Sequence, residues 1–217
     1  MKYKACIFDF DLTLADSSKG ILICFKHTLD RFGYKIPDDK TIYNTIGMTL
    51  VDALDLLSGI PNNPQREQMR VEYVKKADEE MVKNTLFYEG VIASLEKLQS
   101  QGIKVGICSS KFRYRIVDSF LVQAGKLPVD LIIGMEDIEK AKPDPQGLLK
   151  CIEAFEISRS EALYVGDNII DAKCAENANV NFGAVLTGST TKDEFLKHPC
   201  VGIAENMPEL LKNINLL

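Results

Sequence analysis

The chain has 217 residues, 46% hydrophobic and 26% charged, with a net charge of −5, a balance that suits an ordinary globular protein and argues against nucleic acid as a partner. No apolar run reaches the ~18 residues of a membrane span. The six cysteines (Cys6, Cys24, Cys108, Cys151, Cys174, Cys200) form no CxxC pair, which speaks against a zinc or disulfide framework and for a reduced, cytoplasmic setting.

The first element is an apolar strand over Lys4–Phe10, and the start MKYKACIFDF runs straight into it, with too short an apolar stretch for a signal peptide. Its tip carries two acids, Asp9 and Asp11. Residues two apart on a strand share a face, so both carboxylates would crowd one small space. A lone Asp could cap a turn or be solvated. Two on one face of a buried strand call for a cation or a chemical task, because burying unpaired charge is costly. Thr13 follows two residues on.

From residue 16 to 88 the pattern is helical, over Ser18–Phe32, Leu50–Leu57 and Arg66–Val82, with no convincing buried strand. Gly33, Pro37, Gly47 and the Gly59–Pro64 turn break it up. The stretch is too long for a crossover and reads as an all-helical insert. An insert directly after the acidic strand would sit over the carboxyl ends of the strands, where open α/β sheets bind ligands, and could serve as a lid.

Beyond it, strands at Ile103–Cys108, Leu131–Gly134, Ala162–Gly166, Asn181–Leu186 and Val201–Ala204 alternate with helices at Val91–Gln101, Tyr114–Ala124, Gln146–Phe155, Ile169–Asn177, Lys192–Lys197 and Pro208–Ile214. Such alternation predicts a doubly wound parallel sheet, an α/β fold.

Three more stations follow at later strand ends. Ser109 in KVGICSSK could cap a helix or offer a hydroxyl and loop N–H to a phosphate oxygen. Lys111 reads as a solvated charge that could touch substrate. Lys142 in KAKPDP competes with Lys140, and is preferred because Pro143 holds it extended. In YVGDNIID, Asp167 could cap the next helix, with Asp171 in its first turn, where the dipole favours acids. Acids, a hydroxyl and an amine thus share one sheet edge. Two carboxylates would repel a phosphate by about 4 kcal/mol per close charge pair, so only a divalent cation with a lysine makes such a site attractive to it. Hard oxygen donors select Mg²⁺.

The ordered set of DxDxT at Asp9–Thr13, a strand ending in Ser109, Lys142-Pro143 and GDxxxD ending in Asp167–Asp171 resembles the haloacid dehalogenase superfamily of phosphatases, over nearly all of the chain. The insert is similar to the small cap of the phosphoglycolate phosphatase and β-phosphoglucomutase group. The sequence departs from the family at Leu12, where Gly is common, at Tyr88-Glu89-Gly90 and at Ser109-Ser110-Lys111. The resemblance implies a Rossmann-like core of residues 1–15 and 89–217 and a helical cap of residues 16–88. It implies Asp9 as nucleophile, Asp11 as acid and base, and Ser109 and Lys142 on the phosphoryl oxygens. Thr13, Ser110 and Lys111 would help bind substrate. Mg²⁺ would be held by Asp9, the Asp11 backbone carbonyl and Asp167, with Asp171 in support. The expected activity is hydrolysis of a small phosphorylated metabolite through an aspartyl-phosphate, by a monomer or homodimer.

Among rivals, a sugar phosphomutase or a pyrophosphatase fits the same motifs. A phospho-receiver domain is shorter and lacks the insert. A dehalogenase lacks the second acid, and a phosphonate hydrolase needs a Schiff-base lysine that nothing singles out among Lys19, Lys26 and Lys35.

Overall fold

The computed structural model describes residues 3–217. The chain enters the core through β1 (Ala5–Phe8), four buried residues. Alternate side chains feed opposite faces: Cys6 and Phe8 join one apolar cluster and Ile7 the other. Each such buried large side chain contributes about 1.5–3 kcal/mol. The strand ends before Asp9, earlier than the expected Phe10.

The chain then forms β2 (Ala15–Asp16) and the helices α1 (Ser18–Arg31), α2 (Asp39–Tyr43), α3 (Leu50–Ser58) and α4 (Arg66–Glu80), and returns through β3 (Leu86–Phe87). β2 and β3 pair antiparallel, Ala15 with Phe87 and Asp16 with Leu86, where the chain leaves the sheet and where it comes back. The stretch from 16 to 88 is therefore not wholly helical, because a two-residue ladder is too short to leave a periodic signal. α2 was also unforeseen; it is one turn long and held by Asp38, whose carboxylate accepts the Thr41 N–H. The helices gather Ile21, Phe25, Leu29, Leu54 and Tyr73 into an apolar cluster separate from the two that flank the sheet.

The rest of the chain runs α5 (Val91–Ser100), β4 (Lys104–Cys108), α6 (Arg113–Ala124), β5 (Leu131–Ile133), α7 (Gln146–Ala154), β6 (Ala162–Gly166), α8 (Ile169–Ala178), β7 (Asn181–Val185), α9 (Lys192–Phe195), β8 (Gly202–Ala204) and α10 (Met207–Asn213). The six-stranded sheet has the order β5-β4-β1-β6-β7-β8, every pair parallel. This is the expected doubly wound α/β architecture. Val91, Leu95, Phe120 and Leu210 pack on one face of the sheet, and Leu148, Cys151, Ala172 and Phe195 on the other. The order reverses at β1, which lies between β4 and β6, so the crevice of the fold opens where Asp9, Ser109 and Asp167 leave their strands. Among the described residues no helix is long and apolar enough to cross a membrane.

Candidate active site

A cavity of about 180 Å³ lies between the sheet edge and the helices that follow β2. Asp9, Asp11, Ser109, Ser110, Lys111 and Lys142 all line it, drawn from three separate chain segments. Asp9 is 5% exposed and its N–H donates to Val165 O at 2.9 Å, which ties it to the neighbouring strand.

The two acids of the first motif are each held by a different lysine. Lys142 Nζ lies 3.0 Å from Asp9 Oδ1, and Lys111 Nζ 2.5 Å from Asp11 Oδ1. Ser17 donates to the same Asp11 oxygen at 2.5 Å. Asp11 Oδ2 has no hydrogen-bond partner among the described residues and is left for other work. Lys111 departs from the solvated charge expected of it: it is 7% exposed, and its ammonium sits 5.5 Å from the Phe10 ring centroid. The cause is tertiary, since only the folded loop after β4 carries Lys111 to Asp11.

Lys142 is the hub of a buried network. Its ammonium donates to Asp171 Oδ1 at 2.7 Å and to the Tyr164 hydroxyl at 3.2 Å, and Tyr164 in turn donates to Asp171 Oδ1 at 2.8 Å. Burial works against the charged ammonium, but the Asp171 and Asp9 carboxylates outweigh it and hold Lys142 well above the usual range. Lys140, the rival candidate, is exposed and does not line this cavity.

Asp167 does not cap α8. The N-cap is Asn168, whose side chain accepts the Ile170 N–H, while Asp171 reaches back to the Asn168 N–H at 3.2 Å. Asp171 thus completes the cap and serves Lys142 at once. Asp167 is instead held by Thr13, whose hydroxyl donates to Asp167 Oδ1 at 2.7 Å. Gly166 and Gly188 make room: a Cβ on Gly166 would meet Asp171 at 2.5 Å, and one on Gly188 would meet Asp167 Oδ2 at 2.0 Å.

One ligand oxygen from each of Asp9, Asp167 and Asp171 lies within 4.8 Å of the others. Burial first, and then the neighbouring carboxylates, raise Asp9 to about 6 and Asp167 well above the usual carboxylate range. Asp9 Oδ1, although within ion-pair distance of Lys142, is buried without an aligned hydrogen bond. An orphaned oxygen and two strained carboxylates are what a hard divalent cation would relieve, so the residues fit one. The Asp11 carboxylate is outside this trio.

Ser109 is 4% exposed; its N–H is spent on Ile133 O at 3.1 Å, and its hydroxyl accepts the Lys111 N–H at 3.3 Å. Its hydroxyl hydrogen remains available to the cavity. Sequence reasoning missed Ser17, Tyr164, Tyr73 and Arg115. Tyr164 lies inside a buried strand and reads as core. Arg115 donates to Asp78 at 2.7 Å and to Val74 O at 2.9 Å, joining α6 to α4 across contacts that no local pattern announces.

A parallel α/β sheet that ends in acids, a serine and a buried lysine at its order reversal defines a hydrolase of the haloacid dehalogenase type. The sequence pattern of the haloacid dehalogenase-like hydrolase family matches residues 6–185, and the chain belongs to that family. A solved structure described as a haloacid dehalogenase-like hydrolase from Bacteroides fragilis is 42% identical, with a TM-score of 0.93, over 96% of this chain and 100% of that one. The chain is also similar to pyrophosphatase PpaX of Halalkalibacterium halodurans, 28% identical over 212 residues, 97% of this chain and 96% of that protein. Pyrophosphatase PpaX of Bacillus cereus is 31% identical over 187 residues, 85% of this chain and 84% of that protein.

Proposed function

We propose that the chain is a Mg²⁺-dependent phosphatase that hydrolyses a small phosphomonoester through an aspartyl-phosphate on Asp9. The observation that carries this reading is the state of Asp9: a buried carboxylate at the order reversal of the sheet, short of hydrogen bonds and backed by a buried ammonium. In the first step an Asp9 oxygen attacks phosphorus, the P–O ester bond breaks and Asp11 protonates the departing alkoxide. In the second, Asp11 takes a proton from water, the water oxygen attacks phosphorus, and the acyl-phosphate bond breaks to restore the Asp9 carboxylate. Asp11 Oδ2 is the atom for both transfers, since Lys111 and Ser17 fix its other oxygen. Lys142 and the Ser109 hydroxyl would steady the phosphoryl oxygens, and Asp171 with Tyr164 would keep Lys142 aimed. Asp9, Asp167 and the Asp11 backbone carbonyl would hold Mg²⁺, with Asp171 close by. Bound there, Mg²⁺ would neutralise the acids and polarise the phosphoryl group.

Residues 16–88 act in this reading as a cap. Their helices roof the cavity, and β2 with β3 marks the joints. The cavity is below the several hundred Å³ typical of drug-sized ligands, which favours a small substrate. The decisive assay is phosphate release from a generic aryl phosphate with Mg²⁺: it should be abolished by EDTA and by Asp9→Asn, and turnover that survives both would end the proposal.

The name of the PpaX relatives carries a second reading, hydrolysis of pyrophosphate on the same acids. Pyrophosphate as the substrate in the same assay separates the two.

A further inference from the structure

The half of the cavity lined by the helical segment of residues 16–88 has a character of its own. Its walls are Phe25, Met48, Leu50, Val51 and Met81. The charges that reach it are already matched. Arg115 is paired with Asp78 at 2.7 Å, Arg70 with Glu67 at 2.6 Å, and Lys111 with Asp11 at 2.5 Å. The N-terminus of α3 also opens here, but Asp52 in its first turn answers the dipole, and its N–H is taken by Thr49. Among the side chains that this segment brings to the cavity, one polar group is left over, since Thr45 and Thr49 are already bonded to Ile42 O and Asp52. Tyr73 is 7% exposed, lines the cavity, and its hydroxyl has no hydrogen-bond partner among the described residues. Its ring is fixed against Phe25 at 4.7 Å between centroids, so the hydroxyl has a set position. Burial raises its pKa well above the ordinary phenol value, which keeps it neutral, able to donate or accept.

We infer that this half of the cavity receives an uncharged, mainly apolar leaving group with one hydrogen-bonding oxygen, read by the Tyr73 hydroxyl, and that it disfavours a second phosphate or a carboxylate. The inference rests on the phosphatase reading above and narrows it. An anionic leaving group would have to lose its hydration among apolar walls with every nearby cation already engaged, which is costly. An alcohol or ether oxygen, by contrast, would give the Tyr73 hydroxyl the partner it lacks among the described residues.

The test uses the full chain with Mg²⁺ and compares kcat/KM for butyl phosphate, hydroxybutyl phosphate, the matching carboxylate-ended ester and pyrophosphate. Hydroxybutyl phosphate should lead, with the carboxylate-ended ester and pyrophosphate at least tenfold behind. In Tyr73→Phe, which keeps the ring against Phe25, the ratio of hydroxybutyl to butyl phosphate should fall about tenfold, the cost of one lost buried hydrogen bond. Equal or better turnover of pyrophosphate or the carboxylate-ended ester overturns the inference, as does an unchanged ratio in the variant. Generic aryl phosphate is the control. If it is hydrolysed and the series shows no discrimination, only this inference falls; if nothing is hydrolysed, the phosphatase reading falls and takes this one with it.

Discussion

Lys142 and Asp171 form a buried pair, 2.7 Å apart and 5% and 1% exposed at their side chains, on segments far apart in the chain. The same ammonium stands 3.0 Å from Asp9, so it is the shared counter-charge of two buried acids. Removing one partner of such a pair strands the other.

Lys142→Met should therefore do two things. Unfolding of the metal-free protein in urea should show a loss of about 3–5 kcal/mol, because Asp171 and Asp9 are left buried and unpaired. With Mg²⁺, kcat for aryl phosphate should fall about 100-fold or more, the scale for a preorganised charge at a transition state. A variant that is fully active would refute the phosphoryl-stabilising role of Lys142.

Asp9 and Asp11 should differ in how their loss depends on the leaving group. Asp9→Asn should abolish turnover of every ester and prevent covalent trapping of phosphate. Asp11→Asn should slow alkyl phosphates by roughly 100-fold to 10,000-fold, and nitrophenyl phosphate less, since that leaving group needs little protonation. Equal losses on both ester types would argue against proton transfer by Asp11.

Proton release should accompany Mg²⁺ binding. Asp9 is raised to about 6, mainly by burial. Its protonated form therefore favours the folded, metal-free protein; that contribution is fully present below the unfolded carboxylate pKa and is lost as pH rises through about 6. A cation must displace the proton, so apparent Mg²⁺ affinity should weaken about tenfold per pH unit below that value for each proton displaced. Calorimetry in two buffers of different ionisation enthalpy measures this directly. An affinity that does not change from pH 5 to 7 would mean that no proton leaves Asp9 when the cation binds.

Leu12 is a further point of strain. It stands where the resembled family commonly has Gly and has a φ of 60°, which costs a side-chain-bearing residue about 1–2 kcal/mol. Its side chain is 2% exposed among Ile21, Phe25 and the rest of the helical cluster. Deleting a buried Leu side chain costs about 2–5 kcal/mol, more than the strain relieved. Leu12→Gly should thus be destabilising by roughly 1–3 kcal/mol in urea unfolding. A gain in stability would mean strain, not packing, dominates at this loop.

The sequence by itself determined the sheet and its active edge. The apolar runs are bounded by Gly, Pro and acids. Ala162–Gly166 falls where it was expected, and the other five strands of the parallel sheet lie within a residue or two, while β2 and β3 had no counterpart. Parallel strands joined by helices end at one edge, so Asp9, Ser109 and Asp167 share that edge, and the order β4-β1-β6 sets them side by side. What only the tertiary structure decided is which group answers which. Lys111 reads as exposed until the loop after β4 folds it onto Asp11, one hundred residues away in sequence. Asp171 reads as a cap residue until Lys142 and Tyr164 arrive on other segments. Tyr73 and Arg115 carry no signal at all in the sequence, because a buried Tyr on a helix looks like core and an Arg like surface. Periodicity records which face of an element leaves water, a property of neighbours along the chain. Partner choice among buried charges depends on distances across the fold, and those exist only once the helices have closed over the sheet edge.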